Sequence, residues 1–255
     1  MKTIRFRHSS IDNQSFLFSM KESDEEYYLV SYELVRKLLI GMAKRSSVFC
    51  SKVFADYPFT YRERQLDSIL LPELSKLCNG YVFAEYPVTR NSKLYDAKDS
   101  KGRIDYWCIY KNYSFVIEVK HSYDNYIIGK TKDETIRRWR TMNSYQLKSI
   151  KKYLKTFDEK TKGIIPLALH FITSESSKEP TNEHRDEYIL KEREILIRLH
   201  NDLKHIAEPD FTSLWEIDKD MYIDYWHNGN TFPGFILVSK FYREIHHNGA
   251  GSYER

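Results

Sequence analysis

The sequence predicts an α/β domain in which a central mixed β-sheet is flanked by helices. Two observations predict it. Leu66, Ile69, Leu70, Leu74 and Leu77 recur at helical spacing, and three strand-like runs follow at residues 81–88, 103–110 and 115–121. A long amphipathic run at 132–154 then leads to a fourth apolar strand at 164–173. The order helix, three strands, helix, strand, with one tight hairpin inside it, is that of a mixed sheet with helices packed on it.

The elements follow in chain order. Residues 1–59 read as an accessory segment, with short strands at 3–7 and 15–20 and a helix at 32–42 carrying Leu34, Leu38 and Leu39. Thr60-Tyr61-Arg62-Glu63 has the form of a capping box opening the next helix, and Asn79-Gly80 closes it. Pro72 interrupts this helix as a kink or a break. Residues 89–101 are polar and read as a loop, and Gly102 precedes the second strand. Lys111-Asn112 is the hairpin turn to the third strand. Ile136, Trp139, Met142, Ile150 and Leu154 mark the buried face of the long helix. A polar loop at 174–186, a helix at 188–205, and strands at 221–226 and 235–241 around Asn228-Gly229-Asn230 complete the chain. The expected division is an accessory segment 1–59, a core 60–175, and a C-terminal extension 176–255 packed on the same domain.

A hydrophobic content of 41% in 255 residues supports a sizeable core and argues against disorder. The net charge of +4 does not by itself imply nucleic acid. Its distribution says more: residues 130–162 hold 11 Lys/Arg against 4 Asp/Glu, a solvated helix face or a phosphate-facing surface. The three cysteines have neither metal-ligand spacing nor a disulfide framework, which fits a reducing cytoplasm. The sequence shows no signal peptide, transmembrane run or phosphate-binding Gly-rich loop. His121 lacks a spaced partner for zinc, and His246-His247 reads as an exposed pair.

The chemistry concentrates in the hairpin. Asp105 interrupts the aromatic and apolar strand Arg103-Ile104-Asp105-Tyr106-Trp107. Glu118 and Lys120 interrupt Phe115-Val116-Ile117-Glu118-Val119-Lys120, and strand alternation puts them on one face. Burying unpaired charges there costs several kcal/mol, so partners are required. A divalent cation serves two carboxylates, and a phosphate oxygen serves the lysine. Oxygen donors without neighbouring Cys or His select Mg²⁺, with Mn²⁺ as substitute, over zinc, and the Val119 carbonyl adds a further oxygen. A plain structural account exists for each residue alone: a local ion pair of Asp105 with Arg103, or a cross-strand pair of Glu118 with Lys120. The spacing of the three together favours a site.

An acid, 13 positions to a second acid, then two to a lysine, resembles the signature of the PD-(D/E)XK superfamily, the restriction-endonuclease-like nucleases. Ile104 stands where the family name places proline. The resemblance covers residues 61–173 and implies a restriction-endonuclease-like core with Asp105, Glu118 and Lys120 as catalytic residues. It implies metal held by Asp105, Glu118, the Val119 carbonyl and a helix glutamate. Glu63 is the choice for that glutamate, with Glu73 or Glu85 as substitutes, and Gln146 is the polar residue of the following helix aimed at the site.

The implied activity is Mg²⁺-dependent hydrolysis of DNA, as an endonuclease, in phage defence, restriction or mobile-element processing. RNA is a second substrate these residues admit. The other readings are a nuclease-fold module that only binds nucleic acid, or one activated by a partner protein. Double-strand cleavage by such enzymes commonly uses two copies of the site, which implies a homodimer. Paired carboxylates also suit glycoside hydrolysis, but the lysine two residues on does not serve that chemistry.

Overall fold

A computed structural model of the chain describes residues 5–11, 14–54, 56–90, 100–125, 130–150, 161–176, 185–217 and 231–243. In chain order the elements are β1 (Arg5–Ile11), β2 (Gln14–Met20), α1 (Glu26–Val48), α2 (Glu63–Leu77), β3 (Val82–Arg90), β4 (Ser100–Tyr110), β5 (Tyr113–Asn125), α3 (Asp133–Arg140), α4 (Leu147–Ile150), β6 (Gly163–Ser176), α5 (Arg185–Leu203), β7 (Phe211–Glu216) and β8 (Thr231–Phe241). The strands form one eight-stranded sheet in the order β1-β2-β7-β8-β6-β5-β4-β3. Only β5 and β6 run parallel; every other pair is antiparallel. A parallel neighbour needs a crossover, and α3 and α4 lie on it.

Strand alternation divides the core in two. Phe16, Phe18, Phe115, Ile117, Leu167, Leu169, Phe235 and Leu237 face α1 and α2. Leu17, Ala168, Ile172, Leu214, Ile236 and Val238 face Trp139, Met142 and α5. With both faces covered, the middle strands read as continuous apolar runs rather than as alternating ones. The mixed sheet flanked by helices is therefore present. Strands β1 and β2 belong to this sheet, β2 pairing with β7, and Leu34, Leu38, Leu39 and Met42 of α1 are fully buried.

Local expectations met the structure unevenly. The turn Lys111-Asn112 forms, with φ of 47° and 63°, the left-handed pair that a two-residue hairpin requires. Asn79 and Gly80 close α2, and α2 continues through Pro72. The capping box does not form. The Thr60 hydroxyl is used upstream, by Asp56 and the Tyr57 carbonyl, in a 3₁₀ turn over Pro58–Thr60. The helix then starts at Glu63, whose carboxylate is left free to reach elsewhere. Residues 89, 90, 100 and 101, expected in a loop, extend β3 and β4. The single long helix is α3, then a π-helical segment Thr141–Gln146, then α4. In the π segment the Leu147 N–H reaches back to the Met142 carbonyl. Strand β7 was not anticipated. The strand expected at 221–226, the turn Asn228-Gly229-Asn230, Leu154 and His246-His247 lie outside the described residues. Among the described residues, no helix is long and apolar enough to cross a membrane.

One buried charge fixes how α1 meets α2. Glu73, offered above as a substitute for the site glutamate, is nearly buried between these helices and pairs with Arg45 at 2.8 Å. It does not join the hairpin acids. Gly41 makes the room, since a Cβ there would stand 2.3 Å from Glu73 Oε2. Gly41→Ala is therefore expected to destabilise the protein by about 1–2 kcal/mol, against the roughly 1 kcal/mol that alanine gains over glycine within a helix. In a Glu73→Ala background the same change is expected to stabilise by about 1 kcal/mol. Urea unfolding of the four-member cycle checks both signs.

Candidate active site

The site is built where two strands part. The β4–β5 ladder runs from Tyr110 opposite Tyr113 to Tyr106 opposite Ile117 and ends there. The next residue on each strand is Asp105 and Glu118. Strand β3 keeps its register with β4 but is interrupted at the same level, between Ala84 opposite Tyr106 and Tyr86 opposite Ile104. Glu85, at the interruption, has φ of 54°. The break undoes the usual alternation: Phe83 and Tyr86, three residues apart, share a face with Trp107, and Ile104 packs with that group.

Past the parting, β5 still presents N–H groups toward β4, and carboxylates take them. The Val119 N–H donates to Asp105 Oδ2 at 2.6 Å, and the His121 N–H donates to Glu63 Oε2 at 3.2 Å. Backbone groups two residues apart point to the same side of a strand, so the two acids line up along one edge. The structure thus brings Asp105, Glu118, Lys120 and Glu63 together. Lys120 Nζ donates to the Val119 carbonyl at 2.7 Å and lies 3.7 Å from Glu63. Glu63 also meets Arg138 of α3 at 3.5 Å. The Val119 carbonyl, expected as a metal ligand, is thus held by the lysine.

Glu118 has no exposed surface. Its Oε1 accepts from Arg90 at 2.6 Å. The Arg90 guanidinium is itself fixed by the Gln146 carbonyl at 3.2 Å, Ser149 Oγ at 3.3 Å and the Arg103 carbonyl. A Cβ at Gly102 would stand 2.5–2.8 Å from three Arg90 side-chain atoms, so only glycine lets the arginine pass. Glu118 Oε2 is buried and has no hydrogen-bond partner among the described residues. Burial first, then the neighbouring Asp105, pushes the Glu118 carboxyl up to about 7 against the pull of Arg90 and Lys120. Burial likewise raises Asp105, against Lys120 and the Val119 N–H.

The remaining residues fall outside this arrangement or at its margin. Glu85 is exposed and pairs with Arg103 at 3.2 Å, the partner considered above for Asp105. Gln146 contributes its main-chain carbonyl to Arg90, while its side-chain Oε1 is buried without a partner among the described residues. His121 is buried against Thr173 at 2.9 Å, and burial lowers its ring to about 3, so it stays neutral and unavailable as an acid near pH 7. Arg90 was missed because residues 89–101 read as loop. The signal was Gly102, an isolated glycine in a strand, which marks close approach of another group. In the described part of the basic segment, Lys130, Lys132, Arg137 and Arg138 each meet an acid.

Among the described residues, no group of three or more His, Cys, Asp or Glu side chains is placed to hold a metal ion. The donors at hand are oxygens, and one of them is a buried carboxylate oxygen left without a partner. That set fits a hard divalent cation that uses one or two carboxylates and keeps most of its waters, as Mg²⁺ does. No family model, curated protein or solved structure matches the chain.

The raised Glu118 carboxyl has a signed consequence. From its ordinary value of 4.5 up to about 7, the unfolded chain has released the proton and the folded chain still holds it. Folding stability therefore falls as pH rises through that window and levels off above it. At 1.36 kcal/mol per unit the loss amounts to about 3 kcal/mol. Glu118→Gln, which cannot ionise, is expected to lack this component. Chemical unfolding of both proteins between pH 4 and 8 checks the divergence of the two curves.

Proposed function

We propose that the chain is a Mg²⁺-dependent nuclease of the restriction-endonuclease-like kind, hydrolysing phosphodiester bonds in DNA. The observation that carries this reading is the meeting of Asp105, Glu118 and Lys120 where β4 leaves β5, with Glu118 Oε2 buried and unmatched. The order of elements is consistent with such a core: a helix, an antiparallel β4–β5 hairpin with its outer neighbour β3, and a helical crossover to parallel β6.

Asp105 and Glu118 Oε2 would hold the metal, with Glu63 and the Val119 carbonyl beside them. The cation would supply a water of lowered pKa and neutralise charge on the phosphate. The chain does the rest. Arg90 fixes Glu118 Oε1, which leaves Oε2 as the oxygen without a hydrogen-bond partner among the described residues. The Val119 N–H orients the Asp105 carboxylate. The Lys120 ammonium lies within the same group of acids, where it can turn from the Val119 carbonyl to a phosphate oxygen or to the attacking water.

A second reading has one observation in its favour. Glu118 is held by Arg90 and Glu63 by Arg138 and Lys120, so the acids are already engaged by the chain's own cations. A module that needs a partner protein to loosen those pairs, or that only binds nucleic acid, is consistent with this.

Calorimetry with Mn²⁺ separates the two. The nuclease reading expects stoichiometric binding that is lost in Asp105→Asn and Glu118→Gln. It also expects binding to tighten as pH rises toward 8, because the Glu118 proton must leave first. Mg²⁺-dependent cleavage of plasmid and linear DNA should fall by roughly a hundredfold or more in Lys120→Ala and Asp105→Ala. Absence of both metal binding and cleavage in the parent protein would sink the nuclease reading.

A further inference from the structure

We propose that the aromatic face of β3 and β4 beside Asp105 is a stacking platform for unpaired bases, so that single-stranded or locally melted DNA is the substrate class. The assignment rests on the nuclease reading above and adds to it the form of the substrate.

Three rings make the platform. Phe83 lies nearly parallel to Trp107, with centroids 5.6 Å apart and planes at 17°. Tyr86 stands edge-on to both, at 6.0 and 5.0 Å. The group is anchored from beneath. Trp107 Nε1 donates to Ser114 Oγ at 2.5 Å, and Tyr86 and Trp107 pack on Ile104, Val116, Ile150 and Ile164. The ring turned outward is Phe83, which is 59% exposed. A phenylalanine spread open to water over a rigid aromatic base presents a flat π surface without sequence preference, which is what a base stacks on. The left-handed Glu85 backbone is what sets Phe83 and Tyr86 on one face.

Position and charge point to a nucleic acid strand. Trp107 is two residues from Asp105 on β4. Exposed Arg103 and Lys101 follow on the same strand. Among the described residues the Arg103 side chain pairs with Glu85, both about two-thirds exposed, a pair weak enough to yield to phosphate.

Strand addition by another protein is disfavoured. Strand β3 is the sheet's outer edge, but Glu85 breaks its extended backbone and Pro87 removes an N–H, both devices that blunt an edge. The rings lie on the face of the sheet rather than along this edge.

The test is fluorescence anisotropy of the full chain in EDTA, where no cleavage intervenes. Labelled oligo(dT) of about 15 nucleotides is compared with a duplex of equal length. The expectation is that the single strand binds at least about tenfold tighter than the duplex, and that Phe83→Ala and Phe83→Leu each cost about tenfold on the single strand and little on the duplex. Phe83 is exposed, so neither change threatens folding, and leucine keeps apolar bulk while removing the π face. Unchanged affinity in the variants, equal losses on both DNAs, full retention by Phe83→Leu, tighter binding of an oligo(U) RNA, or a dimer that Phe83→Ala dissolves would each overturn the proposal. Metal-dependent cleavage by a protein that fails these tests would leave the nuclease reading standing. A platform that behaves as expected in a protein that binds no Mn²⁺ would do the reverse.

Discussion

A carboxylate with no exposed surface has to be answered by its surroundings, and Glu118 is that carboxylate here. Most of the site's construction follows from it. Arg90 must reach Glu118 from β3, so β3 must extend to residue 90 instead of ending in a loop. The arginine must cross β4, so β4 carries glycine at 102. Its remaining donors must be used, so a carbonyl and a hydroxyl from residues 146 and 149 close over it. The answer is incomplete by one oxygen. Oε1 is met by an arginine that three further groups hold in place, while Oε2 has no hydrogen-bond partner among the described residues, and it is the oxygen the proposed cation would take.

Much of the fold was legible because the core helix and strands are locally consistent. The stripe from Leu66 to Leu77, the Asn79-Gly80 stop and the Lys111-Asn112 turn each state their structure in a few residues. What was not legible depends on pairing at a distance. Strand β7 reads Phe-Thr-Ser-Leu-Trp-Glu, neither alternating nor continuously apolar. It is a strand because β2 and β8 flank it, from nearly two hundred residues before and from residues 231–241 after. For the same reason residues 5–11 and 14–20 read as part of an accessory segment, and their strand pairing is with the main sheet.

The site divides in the same way. Glu118 and Lys120 were legible because charges inside Phe115-Val116-Ile117 and Val119 contradict their neighbourhood. Glu63 was expected from the resemblance, and the capping box offered a plain structural use for it; that box does not form. A formed capping box would have turned its carboxylate back on its own helix, and the shift of the helix start is what lets it reach the His121 N–H. Arg90 had no such contradiction to betray it. An arginine in a polar stretch is unremarkable until a second strand is laid beside it, and only the glycine opposite hinted at the crossing.

The π-helical stretch between α3 and α4 bears on how this protein tolerates change in length. A π segment holds one residue more than the α turn it replaces. It spans the same turn of the cylinder, so deleting one residue within 141–146 would restore ordinary helical pairing and leave what lies beyond facing nearly as before. The same deletion within α3 would turn everything beyond it by about 100°. The carbonyl of Gln146 and the hydroxyl of Ser149 would then swing away from Arg90, and Leu147 and Ile150 would leave the core. Length along this helix is therefore held by the site and the core together, and the π segment is the place where one residue can be taken out at least cost to both.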